Sequence, residues 1–116
     1  MTDSIDLSVR VAPDEDAHVA RVLIRGELDF SNASTLRARL RAVERRGPST
    51  LVLDLADLSF MDVSGLRTIL DAARRAARED RRLVVANPLP AIVRLFELTA
   101  IDQSLDVVRG PFVPVG

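Results

Sequence analysis

The sequence has no cysteine, no tryptophan, no tyrosine and no lysine. Without cysteine there is no disulfide framework, no Cys-based zinc site and no thiol nucleophile. Aromatic residues make up only 3%, all phenylalanine, against 47% hydrophobic residues. The core must therefore be aliphatic, built from Leu, Val, Ile and Ala. Charge of either sign is not in excess: 28% of residues are charged, yet the net charge is -1. That balance argues against general nucleic-acid binding, which needs an excess of positive charge. All 16 basic residues are arginine, a pattern read here as coding bias. No apolar run approaches membrane-spanning length. The segment Met1 to Arg10 is polar and then alternating, unlike a signal peptide. A cytoplasmic protein is expected, with no membrane partner and no cofactor.

The 116 residues match one domain and bury enough apolar surface to fold unaided. The core is expected over about residues 5–108, with 109–116 a loose tail. Ile5, Leu7, Val9 and Val11 alternate with polar residues, which predicts a strand with one covered face. Pro13-Asp14-Glu15-Asp16 breaks it. A second strand is predicted from about His18 to Gly26, with Ala20, Val22 and Ile24 on one face, forming a hairpin with the first. Asp29 to Ser34 offers helix-starting side chains, with Asp29 a candidate cap, and Leu36, Leu40 and Val43 recur at helical spacing. Gly47-Pro48 ends that helix. Leu51 to Leu55 reads as a buried strand, and Leu58 to Asp62 as its exit loop.

A second helix is predicted from about Val63 to Glu79. Leu66, Ile69, Leu70, Ala73 and Ala77 mark its buried stripe; Arg67, Arg74, Arg75 and Arg78 mark its wet side. Leu83 to Ala86 reads as another buried strand. Asn87, as cap, and Pro88 start a third helix with Ile92, Leu95, Phe96 and Leu98 inward. Leu105 to Val108 reads as an edge strand. The order predicts an α/β domain with a mixed sheet of four to five strands, three main helices and right-handed parallel crossovers.

In open α/β sheets function gathers where strands end and helices begin. Two junctions stand out: Gly26-Glu27-Leu28-Asp29 and Phe60-Met61-Asp62-Val63-Ser64-Gly65-Leu66. If their strands pair in parallel, both lie at one sheet edge. Asp62 or Ser64 can cap the helix that follows. A phosphoryl group on Ser64 would carry about -1.5 to -2 charges and meet the free N–H groups of the helix start. A partner surface fitted to a neutral serine would instead face an unpaired dianion. That asymmetry is what a binding switch needs. Capping alone explains Asp62. It explains Gly65 less well, because glycine in a first turn costs up to about 1 kcal/mol against alanine and is easier to understand where something approaches the backbone closely.

These two segments resemble the signature segments of STAS domains, and more narrowly those of bacterial anti-sigma factor antagonists. Ala86-Asn87-Pro88 before the third helix also fits. The resemblance covers about residues 5–108 and implies a single STAS-like domain. It further implies a protein that binds an anti-sigma factor with serine kinase activity and thereby frees a sigma factor. Ser64 would be the phosphoacceptor, phosphorylation would release the complex, and a serine phosphatase would restore binding. Asp29, Asp62, Val63, Ser64 and Gly65 would form or shape the partner surface. Such domains often end in a further amphipathic helix, which Gly110-Pro111 and Pro114 make implausible here. The apolar surface so exposed would favour a homodimer.

Two other readings compete. The same fold serves as a subunit of lipid transport systems and of larger signalling assemblies. Alternatively, Ser64 is a hydrolase nucleophile, but that needs a base. The only histidine, His18, is predicted at the far end of its strand. There is also no Gly-rich phosphate loop and no paired-His metal spacing. No intrinsic enzymatic activity is expected.

Overall fold

A computed structural model describes residues 7–12, 18–99 and 105–110. The alternating segment forms β1 (Leu7–Ala12). It pairs antiparallel with β2 (Val19–Leu28), so that Leu7 opposes Gly26 and Ala12 opposes Arg21. The hairpin is as predicted; its Pro13-Asp14-Glu15-Asp16 connection and Ile5 lie outside the described residues. Next come α1 (Ala33–Glu44), β3 (Thr50–Asp54), β4 (Leu58–Met61), α2 (Val63–Arg78), β5 (Arg82–Ala86), α3 (Pro90–Leu98) and β6 (Asp106–Val108).

The sheet has the order β1-β2-β3-β5-β6, with β4 attached to β2 beyond β3. Among the described residues only the hairpin is antiparallel. The helices α1, α2 and α3 contribute Leu36, Leu40, Ile69, Ile92 and Phe96 to one core, shared with Val22, Ile24, Leu51, Leu53 and Val85 of the sheet. Each such side chain, fully removed from water, stabilises the fold by about 1.5–3 kcal/mol. The alternate residues Val19, Val52, Val84 and Ala86 are buried on the other sheet face. The central strands are therefore apolar without a break because both of their sides are covered.

Several expectations change. Leu58 to Met61 is a strand and not a loop, which makes the sheet six-stranded. Its burial runs buried, exposed, exposed, buried, so the period of two is missing. The cause is a register shift in its pairing with β2: Gly26 opposes Leu58 and Glu27 opposes Phe60, which leaves Ser59 of β4 as the extra residue. Gly26, at φ +103°, takes a conformation open to glycine and costly for other residues. It lies inside the strand and does not end it.

The third helix starts at Pro90 and not at Asn87-Pro88. Asn87 adopts a left-handed φ of +57°, and its side chain bonds Gly110 instead of capping. The Gly110 N–H donates to Asn87 Oδ1 (2.6 Å) and Asn87 Nδ2 donates to the Gly110 carbonyl (3.2 Å). Leu98 is exposed, not inward. The α2 stripe runs through Leu66, Ile69, Ala72, Arg75 and Ala76, leaving Ala77 exposed and Leu70 and Ala73 half-buried.

Arg75, expected on the wet side, is buried. Its Nε and Nη2 donate to the two Glu44 carboxylate oxygens at 2.7 and 2.9 Å. This fork ties α1 to α2. It also holds the Arg75 guanidinium more firmly protonated than usual, against the opposing effect of burial. The last strand falls where predicted, as β6, parallel to β5. The tail beyond Gly110 lies outside the described residues.

Candidate functional site

The last residues of β2 and the short β4 pair in parallel, Glu27 with Phe60 and Leu28 with Met61. The two junctions therefore emerge side by side at one sheet edge. The Asp62 N–H donates to the Leu28 carbonyl at 3.1 Å and continues that ladder by one bond. Asp62 then leaves the sheet with extended backbone and caps α2.

Its carboxylate makes two bonds in different directions. Oδ1 accepts the Gly65 N–H at 3.1 Å, satisfying one of the unpartnered donors of the helix start. Oδ2 accepts the Phe30 N–H at 3.1 Å, across to the other junction. One side chain thus caps a helix and fastens the neighbouring loop to it. Of the two capping alternatives, Asp62 is the cap. Ser64 is left as the second residue of α2, half-buried. Its carbonyl accepts the Thr68 hydroxyl at 3.0 Å, and among the described residues nothing bonds its own hydroxyl.

Asp29 does not cap α1. The N-cap position belongs to Asn32, whose side chain makes no capping bond. Instead the loop closes on itself. Asn32 Oδ1 accepts the Asp29 N–H at 2.9 Å, and Asn32 Nδ2 donates to the Glu27 carbonyl at 2.9 Å. Asp29 Oδ1 accepts the Ser31 hydroxyl (2.6 Å) and the Ser31 N–H (2.9 Å). Those bonds, the hydroxyl's first, hold the Asp29 carboxyl below the usual carboxylate range. Asp29 is consequently a charged, fixed feature beside the serine turn.

Gly65 has a different reason from the one expected. A Cβ there would lie 2.6 Å from Leu28 Cγ and 2.9 Å from Met61 Cγ. The close approach comes from inside, from the two strand ends beneath the helix. Gly65 is buried, so it shapes the turn and is covered from outside. Val63 is 57% exposed and stands open at the surface.

Sequence reasoning missed Phe30, which is 84% exposed and bonded through its N–H to Asp62. Phe60, before the turn, is 48% exposed. The available signal was a phenylalanine inside the polar run Asp29 to Asn32 of a chain that has four in all. The edge is thus rimmed by apolar side chains around a serine and two fixed carboxylates. His18, just before β2, is at the opposite end of a ten-residue strand, about 30 Å from the turn. The structure does not bring it to Ser64.

The fold and site together define a small α/β domain that presents a capped serine turn at the edge of its sheet. Residues 11–112 match the STAS domain family, and the chain belongs to it. It is 32% identical over 101 residues to the anti-sigma F factor antagonist of Lysinibacillus sphaericus, covering 77% of this chain and 86% of that protein. Among solved structures, an anti-sigma factor antagonist from Mycobacterium paratuberculosis has a TM-score of 0.79 at 25% identity, over 88% of this chain and 85% of that one. The Bacillus cell fate determinant SpoIIAA, in its phosphorylated form, shares the fold with a TM-score of 0.71 at 21% identity, over 90% and 92% of the two chains. No helix among the described residues is long and apolar enough to cross a membrane.

Proposed function

We propose that this chain is an anti-sigma factor antagonist switched by phosphorylation of Ser64. In its unphosphorylated state it binds an anti-sigma factor with serine kinase activity and frees a sigma factor. The observation that carries the reading is the pair of hydrogen bonds that the Asp62 carboxylate accepts from the Gly65 and Phe30 N–H groups. It fixes Ser64 on a preformed edge, with Phe30 and Val63 exposed beside it. Such apolar side chains on a rigid edge lose little entropy on binding.

Phosphorylation acts through charge. The phosphoryl group brings about -1.5 to -2 charges to a place that already holds Asp29 and Asp62. Within the chain, the positive end of α2 offsets that charge. In a dry contact with a partner, nothing offsets it, and an uncompensated buried charge costs several kcal/mol. The complex dissociates, and a serine phosphatase restores it. The partner surface comprises Asp29, Asp62, Val63 and Ser64, with Gly65 setting the turn from below. Catalysis belongs to the enzymes that act on Ser64, not to this chain.

The test is incubation with the organism's own anti-sigma factor kinase and ATP, followed by mass mapping of the phosphate. Phosphate at Ser64, absent in Ser64→Ala, is expected. Undiminished phosphorylation of Ser64→Ala would overturn the site. Ser64→Asp is expected to bind the anti-sigma factor at least tenfold more weakly, since each 1.4 kcal/mol is a factor of about ten. Equal binding would overturn the switch.

A further inference from the structure

A second polar surface lies on the flank of the domain, between α1 and α2. Arg37, Arg41, Asp71, Arg74, Arg75 and Arg78 line a groove of about 290 Å³. Five arginines face one aspartate there, in a chain whose net charge is -1. Arg75 is neutralised by Glu44 beneath the groove. Arg74 has only a 3.4 Å surface contact with Asp71, of a kind that contributes little. Arg41 lies 3.8 Å from a Glu44 oxygen already bonded to Arg75. Arg37 and Arg78 form no ion pair among the described residues.

Within each helix the like charges repel one another. Arg37 with Arg41, and Arg74 with Arg78, are like-charge pairs four residues apart, and such pairs destabilise a helix. The two pairs also face one another across the groove. Guanidinium groups bind carboxylates and phosphates in forked geometry, so a multiply charged anion would relieve the repulsion.

The surroundings narrow the choice of anion. The lining has no apolar or aromatic side chain, so there is no wall for a nucleotide base and no greasy face to enter a lipid layer. A net charge of -1 does not give the broad basic footprint of nucleic-acid binders. Along α2 the groove spans Asp71 to Arg78, about 10 Å. An extended chain of about three residues covers that distance. Arg74 is about 15 Å along the helix from Ser64, so this surface is separate from the serine turn.

We propose that the α1–α2 arginine groove docks an acidic segment of a partner protein, one that offers at least two neighbouring carboxylates. The inference stands independently of the Ser64 reading.

The experiment titrates the full chain into a fluorescein-labelled hexaglutamate peptide, followed by anisotropy and by amide chemical shifts. Binding that weakens steeply with salt is expected, with the largest shifts in 37–41 and 71–78. Replacing Arg37 or Arg78 by Gln, side chains with no ion pair to lose, is expected to weaken binding up to about fivefold each. Lysine at the same positions is expected to retain most of it. Peptide affinity unchanged in Arg37→Gln/Arg78→Gln, or shifts confined to other elements, would overturn the site. ATP or phosphatidylserine vesicles competing for these arginines more strongly than the peptide would overturn the assignment to a protein segment. Ser64→Asp is expected to leave the affinity unchanged, which separates this surface from the switch.

Discussion

Gly65→Ala sets two physical effects against each other at one position. Helix propensity favours alanine over glycine by about 1 kcal/mol in a helix interior. The packing opposes it. The new Cβ would stand 2.6 Å from Leu28 Cγ, 2.7 Å from Leu28 Cδ2 and 2.9 Å from Met61 Cγ, well inside contact distance. Leu28 is fully buried at the end of β2, and its backbone is held by the Asp62 N–H. Its Cγ cannot swing aside as the tip of a long side chain would. Overpacking of this kind costs about 1–3 kcal/mol, so steric strain outweighs propensity and a net loss of about 1–2 kcal/mol is expected. In a small domain each kcal/mol lowers Tm by about 4–8 °C. Thermal unfolding followed by far-UV circular dichroism measures it. Leu28→Ala removes the two nearest of the three clashing atoms, so the double variant is expected to lose less than the sum of the single ones. A Gly65→Ala protein as stable as the parent, or strictly additive losses, would refute the reasoning and return Gly65 to a role at the outer surface.

Other consequences concern the bonds that hold the site and its frame. Glu44→Ala strands a buried guanidinium and is expected to cost about 3–5 kcal/mol in urea unfolding, whereas replacing both members by apolar residues of similar volume recovers most of that. Asp62→Ala removes the cap and the link to Phe30 together. A loss of about 1 kcal/mol is expected, with faster hydrogen exchange at the Phe30 and Gly65 amides and little change in β5. Asn87→Gly keeps the left-handed backbone but loses both bonds to Gly110, while Asn87→Ala loses both features. Asn87→Ala is therefore expected to be the less stable by about 1 kcal/mol, in the same urea assay.

Local pattern was enough to read the hairpin, the alternation of later strands with helices, and the Leu36-Leu40-Val43 face of α1. Periodicity of two and of 3.6 follows from backbone geometry and burial, so it survives in a single sequence. The serine turn was legible for a similar reason: a carboxylate, a hydroxyl and a glycine at a strand-to-helix boundary are local chemistry. What the sequence left open depended on residues far apart in the chain. The strand β4 was hidden because an extra residue, Ser59, in its pairing with β2 broke its alternation. Asn87 looked like a cap until Gly110 arrived beside it. Arg75 looked solvated until Glu44 of another helix came within reach. The meaning of Gly65 turned on Leu28 and Met61, and that of Asp62 on Phe30. Sequence by itself determined which residues at the edge carry charge and a hydroxyl. Tertiary structure decided which of them meet, because hydrogen bonds and steric contacts act over a few ångströms and only the parallel pairing of β2 with β4 brings the two junctions that close.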